Sequence, residues 1–277
     1  MTPLAAVHGV ARELAAAGVP SPRVDAEHLV AHVLGASRTD LYASDGVLSE
    51  EELEELSTLV ERRRCREPLA YTLGEWGFRR LTLRVDRRAL VPRPETECVV
   101  ERCLLRLRET GVEAPRVLDV GVGSGAIALA LADEHPGARV TAVDRSRDAL
   151  ALAGENLGQA NVDGRVRLVE GELLAGLEGP FDLVVSNPPY VSPDEFPTLQ
   201  PEIRLWEPYE ALVGVGVGEA VARGALAVLP PDGRLVLECG DGQAAGLAAT
   251  LAALGYEDVL VTQDLAGRDR VVEGRRP

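Results

Sequence analysis

The 277-residue chain contains no lysine. All 29 of its basic residues are arginines, set against 44 aspartates and glutamates, for a net charge of -15. A phosphate-binding loop ending in Gly-Lys-Ser or Gly-Lys-Thr is therefore excluded. The acid excess lies mostly after residue 88, where 17 arginines face 30 acids. A broad acidic face repels phosphate backbones, so no direct nucleic-acid binding is expected. Cysteine is scarce too: Cys65, Cys98, Cys103 and Cys239 are scattered and form no Cys-x-x-Cys pair. His8, His28, His32 and His135 complete no metal-ligand cluster. An export disulfide scaffold and a bound metal are both unexpected. No window approaches the roughly 18–20 continuous apolar residues of a membrane span. The opening Met1-Thr2-Pro3-Leu4 lacks the basic region and apolar run of a secretory signal. The expectation is a soluble cytoplasmic protein without a membrane partner.

What is present suits two domains: 46% hydrophobic residues over this length can build one large α/β core and a smaller one. Residues 1–71 read as a helical bundle. Val7, Val10, Leu14 and Ala17 form one helical stripe, and Ala26, Leu29, Val30 and Val33 a second, opened by Ser21-Pro22 as cap and first turn. Ser49 and Glu52 form a capping box for a third helix carrying Leu53, Leu56, Leu59 and Val60. The run Arg62-Arg63-Arg64-Cys65-Arg66 reads as its solvated C-terminal end, where arginines suit the helix dipole. Glu67-Pro68 should end the helices. Thr72 to Val85 reads as a hairpin, inside a linker over 72–92. Residues 93–277 alternate strand and helix from Arg116 onward, closing with an antiparallel pair near 259–262 and 270–272. The fold class is α/β, a Rossmann-like seven-stranded, doubly wound domain preceded by the bundle.

The first strand of that domain runs into Asp119-Val120-Gly121-Val122-Gly123-Ser124-Gly125 and directly into a helix. Glycines here let the backbone approach a ligand and expose amide donors. Asp119 stands before the glycines, where a carboxylate suits a pyrophosphate poorly. It can instead pair with a cationic amino group or hold the loop. The next strand ends at Asp144, placed to accept hydrogen bonds from two ribose hydroxyls. S-adenosylmethionine carries an amino group and no phosphate, so this loop favours it over a nicotinamide cofactor. The third strand leads to Glu172 and Leu173, an acid for an adenine amino group and a cover for the ring, or a solvated loop.

The fourth strand ends in Ser186-Asn187-Pro188-Pro189-Tyr190. Two prolines remove amide donors and stiffen the turn, leaving carbonyls free to face a cleft. The Asn187 oxygen and the Pro188 carbonyl can accept both hydrogens of a substrate NH2 group, and Tyr190 can stack on a planar group. Asn187, Pro188 and Tyr190 are the candidate catalytic residues, and Pro189 joins them in substrate binding. An amide nitrogen is a poor nucleophile. Acceptors on both its hydrogens favour a more pyramidal nitrogen and stabilise the charge it develops. The reading is methyl transfer to planar nitrogen with no covalent enzyme intermediate.

These residues resemble the peptide-chain release factor glutamine N5-methyltransferases, the family known as PrmC or HemK. The resemblance runs through Glu67 to Tyr71, Gly74, Phe78, Val91-Pro92-Arg93-Pro94-Glu95-Thr96-Glu97, the loop 119–125, Asp144 and Asn187 to Tyr190. It continues through Glu207-Pro208, Ala211-Leu212, Glu238, Gly240, Gln243 and Asp264 to Arg270. It implies a class I S-adenosylmethionine-dependent methyltransferase. Its substrate would be the glutamine of the Gly-Gly-Gln motif in class 1 release factors, modified in translation termination, with S-adenosylhomocysteine as product. It assigns Asp119, Gly121, Val122, Gly123, Ser124, Gly125, Asp144, Glu172, Leu173 and Asn187 to the cofactor, and the helical domain to recognition of the release factor. Three positions depart from the family pattern. Glu172 replaces a usual aspartate, Leu173 a frequent aromatic, and Gly214-Val215-Gly216-Val217-Gly218 lacks the aspartate of a Gly-Gly-x-Asp-Gly run. The competing readings are an N-methyltransferase acting on adenine in nucleic acid or on a small amide or amine, and a non-enzymatic adaptor with the same fold.

Overall fold

The computed structural model describes every residue except Ser44 and Asp163. The chain divides into two compact units: Met1–Glu75 with Gln200–Trp206, and Trp76–Leu199 with Glu207–Pro277. The helices in chain order are α1 (Pro3–Ala16), α2 (Pro22–Val33), α3 (Glu50–Arg64), α4 (Leu69–Leu73), α5 (Thr96–Thr110) and α6 (Ala126–Glu134). They continue with α7 (Arg147–Gln159), α8 (Pro201–Trp206), α9 (Tyr209–Leu212), α10 (Val217–Val228) and α11 (Ala244–Ala253). The strands are β1 (Glu75–Phe78), β2 (Leu81–Arg84), β3 (Arg116–Val120), β4 (Arg139–Asp144) and β5 (Val166–Glu170). After them come β6 (Leu183–Ser186), β7 (Arg234–Glu238), β8 (Glu257–Gln263) and β9 (Asp269–Arg275).

The first unit is the helical bundle that the stripes predict. Val7, Val10, Leu14, Ala26, Leu29, Val30, Leu56, Leu59 and Val60 are buried together. Both halves of the capping box form at α3: Ser49 Oγ accepts from the Glu52 amide at 3.2 Å, and the Glu52 carboxylate accepts from the Ser49 amide at 2.6 Å. Ser21 departs from expectation. It precedes Pro22 at the head of α2, but its side chain makes no cap hydrogen bond. Residues 69–73, expected outside the helices, form α4. Pro68 starts a short turn of helix instead of ending one, since proline suits a helix entrance.

The arginine run is the larger correction. Arg63 is buried, not solvated. Its guanidinium donates to Asp25 at 2.7 Å, to Glu202 of α8 at 2.8 Å and to the Glu67 carbonyl at 3.1 Å. Arg66 grips the same Glu202 through two hydrogen bonds, at 2.7 and 2.6 Å. Arg62 takes the Glu67 carboxylate and the carbonyls of Tyr71 and Thr72. Only a helix end folded back against acids and free carbonyls can use this many donors.

In the second unit β1 and β2 pair as a hairpin, and the other seven strands form one sheet in the order β5-β4-β3-β6-β7-β9-β8. Pairing is parallel from β5 to β7 and antiparallel for β9 and β8. Strand residues alternate between two apolar layers. Val117, Val140, Leu183, Val185 and Val236 pack with α5, α6 and α7 on one face. Leu118, Val120, Val184, Leu235 and Leu237 pack with α10 and α11 on the other. The strand order reverses beside β3, where β4 lies on one side and β6 on the other. In such sheets ligands bind at the carboxyl ends of the strands next to the reversal.

Candidate functional site

A cavity of about 460 Å³ opens at that edge, within the roughly 300–1,000 Å³ usual for small-molecule sites. Among its lining residues are Gly121, Val122, Gly123, Ser124, Asp144, Glu172, Leu173, Asn187 and Pro189. The structure therefore brings together segments that follow β3, β4, β5 and β6. Gly121, Gly123 and Gly125 all take positive φ, of 83°, 54° and 92°. That backbone path is open to glycine and strained for other residues. Gly125 does not line the cavity. It starts α6, and a Cβ there would lie 3.1 Å from the Leu129 side chain.

Asp144 is held by the loop that it faces. The Gly123 amide donates to Oδ2 at 3.0 Å and the Ser146 amide to Oδ1 at 2.9 Å. Each oxygen keeps a second lone pair for a hydroxyl. Asp144→Ala is expected to raise the dissociation constant for S-adenosylmethionine at least tenfold, because two charge-assisted hydrogen bonds are lost. Titration calorimetry checks this, and an unchanged constant would remove Asp144 from the ribose contact. Glu172 is exposed, with Arg145 at 3.9 Å. Leu173 is half-buried and takes a left-handed φ of 49°.

Asp119 lies elsewhere. It shares a face of β3 with Val117, the face covered by α5 and α6, and is fully buried beneath the loop without lining the cavity. Among the described residues, neither carboxylate oxygen has a hydrogen-bond partner in good geometry, and the Ala128 amide is the nearby donor that favours its charged form. Burial pushes its pKa up to about 8, and the nearby charge of Asp144 adds to the shift.

The turn after β6 is braced from several sides. Ser186 Oγ donates to the Val120 carbonyl at 2.6 Å. Gln243 Nε2 donates to the Tyr190 carbonyl at 2.9 Å, while Gln243 Oε1 accepts from the Gly240 amide at 3.0 Å. Val191 and Val213 form a parallel bridge. This bridge brings Gly214 so near the turn that a Cβ there would sit 2.8 Å from Pro189 Cγ. Pro188 is buried, and neither it nor Tyr190 lines the cavity. Tyr190 packs beside Gly240, and burial pushes its phenol up to about 12. Among the described residues, none donates to Asn187 Oδ1 or to the Pro188 carbonyl. Asn187 Oδ1, on the cavity wall, is thus left for a ligand, and the Pro188 carbonyl is unpaired just behind that wall. The wall built by Val213, Val215, Gly216 and Val217 is apolar, as the missing aspartate requires.

Composition and motif spacing gave no role to several residues here. Glu207 is buried and pairs with Arg93, and its Oε2 accepts from the Val91 amide at 3.3 Å, so the Pro-Arg-Pro segment is pinned at the cavity. Glu238 is buried at the end of β7. Its Oε2 accepts from Thr96 Oγ1 at 2.7 Å, and Thr96 Oγ1 accepts from Asn187 Nδ2 at 3.2 Å. The readable signal was an acid closing an apolar strand, Leu235-Val236-Leu237-Glu238. Among the described residues no group of three or more His, Cys, Asp or Glu side chains could hold a metal ion.

The polar set fits S-adenosylmethionine. A fixed carboxylate faces a glycine loop, the free Asn187 oxygen lies at the far wall, and apolar side chains fill the space between. Comparison with known proteins agrees. Residues 5–74 match the PrmC N-terminal domain, and residues 102–200 match the methyltransferase small domain. Over about 70% of its length the chain resembles solved methyltransferases at the level of fold. A Pyrococcus furiosus methyltransferase gives a TM-score of 0.51 at 20% identity, covering 70% of this chain and 88% of that one. The Thermus thermophilus 16S rRNA N2 G1207 methyltransferase gives 0.54 at 19% identity, covering 73% and 50%. Sequence relatives are much nearer. The release factor glutamine methyltransferase of Deinococcus radiodurans is 47% identical over 270 residues, 95% of this chain and 94% of its own. That of Salmonella typhimurium is 41% identical over 92% of each chain. That of Cereibacter sphaeroides is 40% identical over 98% of each. Matched along nearly its whole length at these identities, the chain belongs to the release factor glutamine methyltransferase family.

Proposed function

We infer that this chain methylates the side-chain amide nitrogen (N5) of the glutamine in the Gly-Gly-Gln motif of class 1 release factors. The observation that carries the reading is the pair of free acceptors, Asn187 Oδ1 and the Pro188 carbonyl, on a braced turn beside the cavity. They match the two hydrogens of a primary amide. An adenine amino group would offer the same hydrogens, but the excess of acid over arginine after residue 88 disfavours a nucleic-acid substrate.

Asp144 would hold the ribose of S-adenosylmethionine, the loop Gly121 to Ser124 would pass close to its methionyl end with its first three amides already spent on Val143 and Asp144, and Glu172 and Leu173 would flank its adenine. When bound, S-adenosylmethionine supplies an electrophilic sulfonium methyl and leaves as S-adenosylhomocysteine. Asn187 and Pro188 orient the substrate amide and stabilise the positive charge that develops on its nitrogen. Pro189 lines the approach, and Tyr190 stiffens the turn against Gly240. Asp119, buried under the glycine loop and outside the cavity lining, would act on the cofactor through the loop above it. The helical unit would contribute to recognition of the release factor, and the reaction would take place in the cytoplasm.

The test is incubation with purified class 1 release factors and methyl-labelled S-adenosylmethionine, followed by mapping of the label. The label is expected on the Gly-Gly-Gln glutamine. Undiminished labelling of a release factor in which that glutamine is alanine would sink the assignment.

A further inference from the structure

We propose that Thr96 and Glu238 are positioning residues that fix the polarity of the Asn187 carboxamide, so that its oxygen and not its amino group faces the substrate. The proposal rests on the reading of Asn187 as an acceptor for the substrate amide. A carboxamide turned through 180° has nearly the same shape, so packing alone does not select an orientation. With the amino group outward, Asn187 would present donors to a substrate NH2 group that offers only donors.

Hydrogen counting makes the selection. An ionised Glu238 has no hydrogen to give. Thr96 has one, and at 2.7 Å it goes to Glu238 Oε2. Thr96 Oγ1 then has only lone pairs left for Asn187, so the neighbour at 3.2 Å must be Nδ2. The other end of the carboxamide, Oδ1, is left for the cavity. Thr96 and Glu238 are 4% and 1% exposed, so the bond between them is shielded from water, while the bond from Asn187 to Thr96 is part-buried at the cavity wall. The three residues come from the start of α5, the end of β7 and the turn after β6, all elements of one unit.

A protonated Glu238 removes the constraint. Its O–H can donate to Thr96, whose hydrogen is then free for Asn187 Oδ1, and the carboxamide can turn over. Burial pushes Glu238 up to about 7. The hydrogen bond from Thr96 and the charges of Arg270 and Arg93 oppose that shift, while Glu95 adds to it. Tyr190, Cys98 and Cys239 also lie within the reach of its charge.

The test compares Thr96→Val, Thr96→Ser and Glu238→Gln with Asn187→Ala, using a class 1 release factor as substrate. Thr96→Val is expected to lower kcat about ten- to hundredfold, with the affinity for S-adenosylmethionine held within about twofold as the control for folding. Thr96→Ser, which keeps the hydroxyl, should recover kcat to within about threefold of the parent. The parent kcat should fall below about pH 7. In Glu238→Gln it should be low and lack that acid limb, and this isosteric change carries the test if the valine variant fails to fold. A kcat within threefold of the parent in Thr96→Val, beside a collapse in Asn187→Ala, overturns the relay alone. Full activity in Asn187→Ala overturns the reading of the site and the relay with it.

Discussion

Asn187→Ala is expected to lower kcat by about two to three orders of magnitude while S-adenosylmethionine binds within about threefold of the parent affinity. The reasoning starts from the nucleophile. The lone pair of an amide nitrogen is delocalised into its carbonyl, so the uncatalysed attack is slow. Acceptors on both N–H groups favour the pyramidal form and stabilise the cationic transition state more than the neutral ground state. Losing one of two such contacts in a braced site resembles loss of one oxyanion-hole donor, which costs about 10²–10³ in kcat. Because the contact strengthens as charge develops, the effect belongs in kcat and less in KM. The ribose contact is assigned to Asp144 at the end of β4, with β3 between it and the turn after β6, so the cofactor affinity should survive. Single-turnover kinetics with saturating release factor provide the check. A rate within threefold of the parent would show that Asn187 is not the acceptor.

Arg63→Ala should destabilise the helical unit by about 3–5 kcal/mol, the usual cost of removing one partner from a buried ion pair. The side chain of Arg63 is 5% exposed, and those of Asp25 and Glu202 are 9% and 11% exposed. Without the guanidinium, the buried Asp25 carboxylate loses its ion-pair partner and the Glu67 carbonyl loses a donor. Glu202 retains Arg66. Lysine is a poor replacement, because one ammonium cannot serve three acceptors placed around a planar fork. The urea midpoint followed by circular dichroism measures the loss. A change below about 1 kcal/mol would show that the network contributes little beyond the apolar stripe of α1, α2 and α3.

The two predictions differ in how far they could be read from the chain. The glycine loop, Asp144 and the Asn-Pro-Pro-Tyr turn are contiguous motifs at strand ends, so periodicity located both the strands and the site. The bundle was legible through its stripes and the capping box at Ser49. Asp119 left two roles open. The pleat fixes its place, since the residue two after Val117 points the same way, into the layer under α5 and α6 and outside the cavity lining. The relay behind Asn187 was not legible. Thr96 lies 91 residues from Asn187 and 142 from Glu238, and no local pattern records such pairings. The ion network of Arg63 was missed for the same reason, with Glu202 139 residues away. A basic run beside a helix end looks solvated until its acids arrive from elsewhere.

Helix α8 also determines how this molecule can be taken apart. The polypeptide passes between the two units at 75/76, 199/200 and 206/207, so the bundle is a discontinuous domain assembled from two stretches of chain. One cut near residue 75 does not isolate either unit. It leaves Gln200–Trp206 looped out of the methyltransferase half, with Glu202 stripped of both Arg63 and Arg66. A clean dissection has to replace 200–206 with a short polar linker on one side and graft that segment onto the bundle on the other.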